Sequence, residues 1–338
     1  MRRFLKPIET LLNGIPMEIL VVKPSSLGDI IQALRVAQSI RDQMPDAVIS
    51  WVVRDRFADV VRRCPTVNGR IIEFHRTNWL RTAPGLFRDI RQSHFDVVLD
   101  FQGLLRSGLM TMAARSPRKI GHLQAREGSH FFYTERVPLP ADGDDAHHVA
   151  IMLQFLPAIG LRAELTTPIT LQCEPPYHVD SRLKGSNPIV LLPNSREPSR
   201  EWPHFAALAE RIIKTDRQAV VVWDSHIEFK TPTTLENDRF INLSRRTGLM
   251  EMAGLISMAK LVVANDSGGT HVASAFGVPL LALFGPTLPN HSGPYPLDNG
   301  RNFTLIAPEK SLPNLSVETV HSKLREISHN LANVRKSA

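Results

Sequence analysis

A loop of small and polar residues, Asn265 to His271 with the sequence NDSGGTH, lies between an apolar run and an alanine-rich segment typical of a helix. Consecutive backbone amides at the start of a helix, beside glycines that let a ligand approach the main chain, suit a phosphate or diphosphate. The segment has neither the GxGxxG pattern of a dinucleotide site nor the Walker pattern of a P-loop. A plain turn between strand and helix is the alternative interpretation.

A second polar loop, KPSSLGD, runs from Lys23 to Asp29 and also follows an apolar run. The hydroxyls of Ser25 and Ser26 can cap a helix or bind an anion, and Gly28 permits close backbone approach. A carboxylate such as Asp29 at the mouth of a cleft is what a general base for a hydroxyl nucleophile requires. At the start of a helix, the same carboxylate is equally suited to be an N-terminal cap.

Two further loops in the second half of the chain carry charge. In PNSREPSREWP, residues 193–203, Ser195 offers a hydroxyl, and Arg196 and Arg200 offer guanidinium groups whose fork geometry fits phosphate oxygens. In VVWDSHIE, the acidic side chain of Glu228 follows another apolar run, where a carboxylate can hydrogen-bond a ribose. Solvated surface loops are the alternative for both.

Alternating strand-like and helix-like segments must position these loops. Apolar runs such as MEILVV and AVISWVV alternate with amphipathic segments in the first half, and the alternation restarts at PIVLLPNS. Such alternation predicts parallel, doubly wound sheets. In 338 residues we therefore predict an α/β fold of two Rossmann-like domains that face an interdomain cleft, with ligands at the carboxyl ends of the strands.

Changes in composition mark the predicted domain boundaries. The sequence from about Arg136 to Asn187 is rich in Pro and Asp and lacks a clean period, so we place the linker near its end. We assign residues 1–17 to an N-terminal amphipathic extension, 18–180 to the first domain and 187–338 to the second. A C-terminal helix of the second domain is expected to pack back on the first.

Charge and cysteine content limit the partners and the compartment. Forty Lys and Arg against 33 Asp and Glu give a formal charge of +7, which favours acidic partners such as phosphorylated small molecules, anionic lipid surfaces or nucleic acid. A basic surface that only keeps the protein soluble is the alternative. No nucleic-acid module is recognisable, so we predict no nucleic-acid partner. Cys64 and Cys173 form no CxxC pair, which indicates a reducing compartment with neither a disulfide framework nor a zinc site.

The N-terminal extension carries a possible membrane contact. Its apolar residues share one helical face, which suits a membrane surface, a partner or simply its own domain. With the positive charge, the stripe predicts a cytoplasmic protein with peripheral contact to the inner face of the cytoplasmic membrane. The residues of the stripe are Phe4, Leu5, Ile8, Leu11, Leu12 and Ile15.

Five motifs between residue 18 and about residue 290 resemble glycosyltransferase family 9, the heptosyltransferases of lipopolysaccharide inner-core synthesis. They are KPSSLGDII, DFQGLLRSGLM, RKIGH, PNSREPSREWPHFAALA and VVANDSGGTHVASAFGVPLLALFGPT. The resemblance implies a GT-B fold and an inverting transfer without a metal ion or cofactor. It also implies an ADP-heptose donor, bound as a substrate by the second domain, and an acidic lipid-linked Kdo or heptose acceptor at the first.

The resemblance also implies roles for single residues. Asp29 matches the proposed catalytic base, residues 266–271 match the loop that holds the donor phosphates, and Arg200 lies where the family has Lys or Arg before Trp-Pro. The predicted donor-binding residues are Ser195, Arg200, Glu228, Asp266, Ser267, Gly268, Gly269, Thr270 and His271. The predicted acceptor-binding residues, some of which are equally suited to a solvated face, are Ser25, Ser26, Gly28, Arg106, Arg118 and Lys119.

The implied mechanism has Asp29 deprotonate an acceptor hydroxyl that attacks the anomeric carbon. The amides of residues 267–270, the Thr270 hydroxyl and Arg200 then stabilise the departing ADP. Three features depart from the family. The segment Gln32 to Arg35 differs from the usual His and Leu-Pro, so acceptor recognition is expected to differ. Gly269 replaces a larger residue, which is expected to loosen the loop, and the N-terminal extension before the first strand is longer than expected.

Two other functions remain open at the level of sequence. A nucleotide-sugar epimerase of the same fold would also need a diphosphate loop and cleft carboxylates, but no acceptor. A non-catalytic protein that binds nucleotide-sugars or lipids would keep the fold without turnover. The sequence DDAHH at 144–148 contains potential metal ligands, but it lies in the irregular segment and is interpreted as a solvated turn, so no metal site is predicted.

Overall fold

The structure is a computed structural model that describes residues 16–175, 179, 181, 183, 187–195, 197–225, 228–235, 238–297 and 299–337. The apolar stripe of the N-terminal extension and Arg196 lie outside the described residues. The chain divides into two compact units, Met1–Gln172 and Cys173–Ala338. The boundary between the units lies before the predicted linker. Glu174 already belongs to the second unit, because its backbone packs closely on Gly254. A Cβ atom on Gly254 would lie 2.2 Å from the Glu174 carbonyl oxygen.

The first unit is built on a six-stranded parallel sheet with the strand order β3-β2-β1-β4-β5-β6. In the central pair, Val22 of β1 lies beside Asp100 of β4, so the loops after these two strands leave the sheet side by side. The strands are β1 (Glu18–Val22), β2 (Val48–Arg54), β3 (Ile71–Phe74), β4 (Val97–Asp100), β5 (Arg118–His122) and β6 (Glu135–Val137).

The helices of the first unit are α1 (Leu27–Gln43), α2 (Ala58–Arg62), α3 (Trp79–Arg91), α4 (Leu105–Ala113), α5 (His148–Leu153) and α6 (Phe155–Ala158). The apolar runs MEILVV and AVISWVV form β1 and β2, as predicted, and helices alternate with the strands through β4. The segment from Arg136 onward was expected to be irregular, and there the prediction is wrong, since β6 ends in it and α5 and α6 follow. These helices are too short to show a period, and burial of Phe155 and Leu156 stabilises them instead.

The second unit repeats the architecture, with the strand order β12-β11-β10-β7-β8-β9. Its strands are β7 (Ile189–Leu192), β8 (Val220–Val222), β9 (Phe240–Asn242), β10 (Leu261–Asn265), β11 (Leu280–Phe284) and β12 (Asn302–Ile306). Its helices are α7 (Phe205–Arg211), α8 (Leu249–Ser257), α9 (Gly268–Ala275), α10 (Pro289–Ser292) and α11 (Val317–Ser337).

The C-terminal helix α11 packs into the core of its own unit. Val320, Leu324 and Ile327 recur at helical spacing and are at most 2% exposed within the cluster that also contains residues of α7. His321 lies 2.8 Å from the carboxylate of Asp216, just after α7. Along this face α11 therefore covers the core of the second unit. Packing of the helix on the first domain stays a prediction.

In each sheet, the direction in which successive strands are added reverses next to the strand that comes first in the chain. The reversal lies between β1 and β4 in the first unit and between β7 and β10 in the second. At such a point the loops after the two strands diverge and leave a crevice at the carboxyl ends of the strands. Three of the four polar loops that the sequence analysis selected follow β1, β7 and β10, so the structure places these three at the two reversal points, and the fourth follows β8.

Candidate functional site

A cavity of about 670 Å³ opens at the reversal point of the first unit. Its walls come from the carboxyl ends of β1, β4 and β5 and from the helices α1 and α5. A cavity of this size is large enough for a sugar-sized ligand. The lining residues are Lys23, Asp29, Phe101, Gln102, Gly103, His122, Gln124, Ala125, Arg126, His148, Ile151 and Met152.

Asp29 is the third residue of α1, and its two carboxylate oxygens have different surroundings. Oδ2 accepts hydrogen bonds from the amide (2.9 Å) and the hydroxyl (2.7 Å) of Ser26, the contacts of a helix cap. Oδ1 lies 4.0 Å from Nδ1 of His148. The capping and proton-accepting interpretations of Asp29 are therefore compatible, since each uses a different oxygen.

The pKa of the Asp29 carboxyl is lowered from its ordinary value. Burial favours the neutral acid, but the charge of Lys23, the hydrogen bonds from Ser26 and the nearby His148 outweigh this effect. Asp29 is consequently ionised at neutral pH, which is the state that a proton acceptor requires.

Lys23 places a buried cation in the floor of the cavity. Its Nζ atom donates a hydrogen bond to the carbonyl of Phe101 at 3.2 Å. Burial lowers the pKa of the Lys23 ammonium, and the carboxylates of Asp29 and Asp100 oppose that shift. Because a buried cation needs nearby anions, Lys23 and the two carboxylates form one coupled group.

Asp100 is fully buried at the end of β4. Its Oδ1 atom accepts hydrogen bonds from the amides of Gln102 (2.9 Å) and Gly103 (3.0 Å), and its Oδ2 atom accepts one from the Tyr133 hydroxyl (2.8 Å). Burial raises the pKa of the Asp100 carboxyl against the effect of these hydrogen bonds. The contacts fix the turn after β4, whose residues line the cavity.

His122, the last residue of β5, presents a neutral ring to the cavity. Burial first, and then the charges of Lys23, Arg126 and His148, lower its pKa to about 4. Its Nδ1 atom is buried without a hydrogen-bond partner in the described part of the chain. The ring contacts Gly103 so closely that a Cβ atom there would lie 2.2 Å from Nε2, and Gly103 also has a positive φ of 67°.

Asp100, His122 and His148 were not selected as site residues from the sequence. The sequence DDAHH was interpreted as a solvated turn, and this is wrong for its two histidines. His147 accepts a hydrogen bond from the amide of Val149 at the start of α5, and His148 lines the cavity. The motifs DFQG and RKIGH held a usable signal, because they end β4 and β5 at the edge where sites form.

Arg118 and Lys119 do not belong to the candidate acceptor site. Both begin β5, at the edge of the sheet opposite to Asp29, because parallel strands place their amino ends together. The Arg118 guanidinium binds Glu135 through two 2.7 Å hydrogen bonds, and Lys119 Nζ donates to the carbonyl of Met112 at 2.9 Å. We therefore remove both residues from the predicted acceptor group.

The other predicted acceptor residues lie at the carboxyl edge of the first sheet. Arg106 is exposed in the first turn of α4, and its guanidinium lies over the rings of Trp79 (5.2 Å) and Phe74 (5.8 Å). Ser25 and Ser26 are half-buried before α1, where the Ser26 hydroxyl is committed to Asp29.

Gly28 is buried in the first turn of α1. In the segment that departs from the family pattern, Gln32 is only 3% exposed, and Ala33 and Leu34 are fully buried. These three residues therefore belong to the packed side of α1, and none of them lines the cavity.

In the second unit, hydrogen bonds join the loops after β7 and β10. The Asn265 side chain donates to the carbonyl of Pro193 (2.6 Å) and accepts from the amide of Trp202 (3.1 Å). The Ser195 hydroxyl donates to the carbonyl of Asp266 at 3.2 Å. The two loops are thus held together at the start of α9.

The first turn of α9 has the geometry of an anion site. Ser267 is the N-cap and Gly268 the first helical residue, so the following amides lack carbonyl partners within the helix. Gly269 does not loosen the loop as expected, because it is buried where a Cβ atom would lie 2.5 Å from Cδ1 of Leu192. His271 is the fourth residue of the helix.

The Thr270 hydroxyl does not have the partner that the sequence analysis predicted, which was the departing ADP. The residue is fully buried, and its Oγ1 atom donates a 2.7 Å hydrogen bond to the carbonyl of Asn265. Satisfying that carbonyl stabilises the turn between β10 and α9. Thr270 consequently has its backbone amide, and not its hydroxyl, to offer a phosphate.

Arg200 is held between two carboxylates. Its Nη1 atom lies 3.2 Å from Oδ2 of Asp266, and its Nη2 atom lies 3.2 Å from Oε1 of Glu197. Thr287 adds a 2.9 Å hydrogen bond from its hydroxyl to the same oxygen of Asp266. The pairing orients the guanidinium at the start of α9 and partly neutralises Asp266 there.

Glu228, the predicted ribose contact, is exposed after β8. Asp224, earlier in that loop, is only 3% exposed and accepts a 3.1 Å hydrogen bond from the Asn194 side chain. Within the described ranges, no group of three His, Cys, Asp or Glu residues is arranged to hold a metal ion. None of the helices described is long and apolar enough to span a membrane.

Two Rossmann-like units, each a six-stranded parallel sheet with polar loops at its reversal point, have the architecture of the GT-B fold. The chain aligns with "E. coli heptosyltransferase WaaC with ADP" at a TM-score of 0.74 and 21% identity, over 92% of this chain and 100% of that one. It aligns with E. coli ADP-heptose lps heptosyltransferase II at a TM-score of 0.71 and 22% identity, over 95% and 100% of the two chains.

The sequence narrows the class to one family. A family model described as glycosyltransferase family 9 (heptosyltransferase) matches residues 84–323, more than half of the chain, and the protein belongs to this family. Lipopolysaccharide heptosyltransferase 1 of Pseudomonas aeruginosa is 29% identical over 302 residues, which cover 82% of this chain and 81% of that relative.

Proposed function

We propose that the protein transfers heptose from ADP-heptose to an acidic, lipid-linked acceptor of the lipopolysaccharide inner core, with inversion and without a metal ion. The observation that carries the proposal is the ionised carboxylate of Asp29, with one oxygen beside the cavity, in a chain of glycosyltransferase family 9. Its similarity to a lipopolysaccharide heptosyltransferase, and the ADP bound in one similar structure, support the choice of donor and acceptor.

In the proposed reaction, Oδ1 of Asp29 accepts the proton of an acceptor hydroxyl while Oδ2 stays bound to Ser26. The hydroxyl oxygen bonds to the anomeric carbon from the face opposite to ADP, and the bond from that carbon to the phosphate oxygen breaks with its electron pair on ADP. General base catalysis of this kind contributes about 10² to 10⁴ in rate. Because the capping hydrogen bonds hold the carboxylate in place, Asp29 needs little reorganisation during the step.

The second unit is proposed to bind the diphosphate of the donor at the start of α9. The amides of residues 267–270 and the guanidinium of Arg200 meet the negative charge that develops on ADP. Donors that are aimed correctly at developing charge contribute about 3 to 4 kcal/mol each. Asp266 has the role of orienting Arg200, at the cost of part of its positive charge.

The charges of the cavity in the first unit support an acidic acceptor. Lys23 in the floor and Arg126 on the wall are cationic, and His148 lies beside Asp29. We propose that these groups select a sugar that carries a carboxylate or phosphate. Because this acceptor is lipid-linked, we also propose that the protein is cytoplasmic and acts in peripheral contact with the cytoplasmic face of the inner membrane.

The two alternative functions receive less support. A cavity lined only by residues of the first unit offers room for a second substrate, which an epimerase does not need. A binding protein without turnover needs Asp29 only as a helix cap, which uses Oδ2 and gives no role to Oδ1 beside the cavity.

The test is a calorimetric titration with ADP, ADP-heptose, UDP and UDP-sugars without added metal, followed by a transfer assay with an inner-core acceptor. We expect selective binding of ADP and ADP-heptose, and turnover only when the acceptor is present. Preference for a UDP-sugar would move the protein to another donor. Binding without turnover would support the non-catalytic alternative, and turnover without acceptor would support an epimerase.

A further inference from the structure

An exposed apolar ridge runs along α4 of the first unit. Leu105 and Met112 are seven residues apart on one helical face, and their exposed fractions are 44% and 48%. Phe131 is 79% exposed in the turn that packs beside α4 at Gly108. Large exposed apolar side chains that are grouped on neighbouring elements mark contact surfaces for proteins or membranes.

A basic groove of about 490 Å³ lies between α3 and the end of α4. Pro84, Phe87 and Gln92 line it together with Arg88, Arg91 and Arg115. In the described part of the chain, these three arginines form no ion pair. Unpaired guanidinium groups around a groove fit phosphate oxygens, which they can bind in pairs of hydrogen bonds.

The ridge and the groove form one face. Lys119 donates a hydrogen bond to the carbonyl of Met112, at the C-terminal end of the ridge. Burial, and then the charge of Arg91 in the groove, lower the pKa of the Lys119 ammonium. Positive charges therefore accumulate beside the apolar ridge, and we call the ridge and groove together the α3–α4 face.

We infer that the α3–α4 face is a docking surface for a membrane of anionic phospholipids. Apolar side chains next to unpaired arginines match a surface with an acyl boundary below a layer of phosphates. A second copy of the chain fits less well, because a two-fold interface would bring the same three arginines of each copy together. This inference rests on the proposed function, in which the acceptor is lipid-linked.

The α3–α4 face begins beside the cavity. Leu105 follows the cavity residue Gly103 by two positions, and its amide donates a 3.1 Å hydrogen bond to Glu127, the neighbour of the cavity residue Arg126. A bilayer docked on the α3–α4 face would therefore meet the cavity side of the unit at the Leu105 end of the ridge, while the groove lies towards the opposite edge of the sheet.

The test measures binding of the full chain to vesicles by co-sedimentation, without substrates. Vesicles of phosphatidylglycerol and phosphatidylcholine are compared with vesicles of phosphatidylcholine alone. One variant combines Arg88→Gln, Arg91→Gln and Arg115→Gln, and another combines Leu105→Ser and Met112→Ser. The matched control combines Arg217→Gln, Arg239→Gln and Arg301→Gln, which remove the same charge from exposed positions of the second unit.

We expect the wild type to bind only the anionic vesicles, and each groove arginine to contribute about five-fold to the partition coefficient. The triple groove variant then binds about a hundred-fold more weakly, while the control binds like the wild type. The Leu105→Ser, Met112→Ser variant binds about ten-fold more weakly. All variants should keep wild-type turnover with a water-soluble acceptor fragment.

Three results would overturn the inference. In the first, the groove variant binds the anionic vesicles as tightly as the wild type. In the second, the wild type does not bind them. In the third, sedimentation velocity shows a wild-type dimer that the Leu105→Ser, Met112→Ser variant does not form. The last result would make the face an interface between copies. Vesicle binding is measured without donor or acceptor, so it is distinguishable from failure of the proposed transfer reaction.

Discussion

The Nδ1 atom of His148 lies 4.0 Å from the Oδ1 atom of Asp29. This relationship joins the first residue of α5 to the third residue of α1, two elements that are far apart in the chain. The distance is too long for a hydrogen bond, so the interaction is electrostatic. It acts on the carboxylate oxygen that is not used for capping.

Replacing His148 should change the pH dependence of transfer. His148 helps to lower the pKa of Asp29, so His148→Gln raises that pKa. Asp29 accepts a proton only above its pKa, and the acid limb of kcat/KM therefore moves to higher pH, with kcat at neutral pH reduced less than about ten-fold. His329→Gln, an exposed change on α11, is the control. An unmoved acid limb would exclude the electrostatic role.

Asp29→Asn should separate catalysis from helix capping. The amide oxygen of Asn can still accept the hydrogen bonds from Ser26, so folding is preserved, but the side chain cannot take a proton. We expect kcat to fall by about 10² to 10⁴ with unchanged affinity for ADP. Asp29→Ala should also lose about 1 kcal/mol of stability with the cap. A variant that transfers normally, or that fails to bind ADP, contradicts the assignment.

His122 should make the first unit less stable in mild acid. Its pKa is about 4 in the folded protein against 6.5 for the free group. As the pH falls from 6.5 to 4, the unfolded chain binds a proton at this site and the folded chain does not, so stability is lost over that window. The loss amounts to at most about 3 kcal/mol and is complete below pH 4.

Urea unfolding at several pH values measures this loss. His122→Gln removes the titrating group, so its free energy of unfolding should fall less than that of the wild type between pH 6.5 and 4. Parallel curves for the two proteins would show that His122 titrates normally.

Replacing Arg200 should weaken ADP binding, whereas replacing Thr270 should lower stability and leave ADP binding unchanged. Arg200→Gln removes a guanidinium proposed to contact the diphosphate, and we expect ADP to bind at least about ten-fold more weakly. Thr270→Val removes a hydroxyl that already bonds the Asn265 carbonyl, so stability falls by about 1 to 3 kcal/mol while ADP affinity is kept. Calorimetric titration measures both, with Arg301→Gln as control. A loss of affinity in Thr270→Val alone would reverse this assignment.

Elements with a strong local period were predictable. The buried strands β1 and β10 appear in the sequence as apolar runs, and the loops after them as clusters of Gly, Ser and Asp. The short helices α5 and α6 were not predictable, because contacts of Phe155 and Leu156 with distant residues stabilise them. Arg118 was misassigned because a sequence does not show which basic residue already has a carboxylate partner.

The sequence by itself determined the two doubly wound α/β units and the positions of Asp29 and the 266–271 loop after their strands. It did so because side-chain periodicity and turn chemistry operate within about 10 to 20 residues. The tertiary structure decided that Lys23, Asp29, His122 and His148 share one cavity. That grouping needs the pairing of β1 with β4 and of β4 with β5, which brings distant strand ends to one edge of the sheet and lets each charge set the pKa of the others.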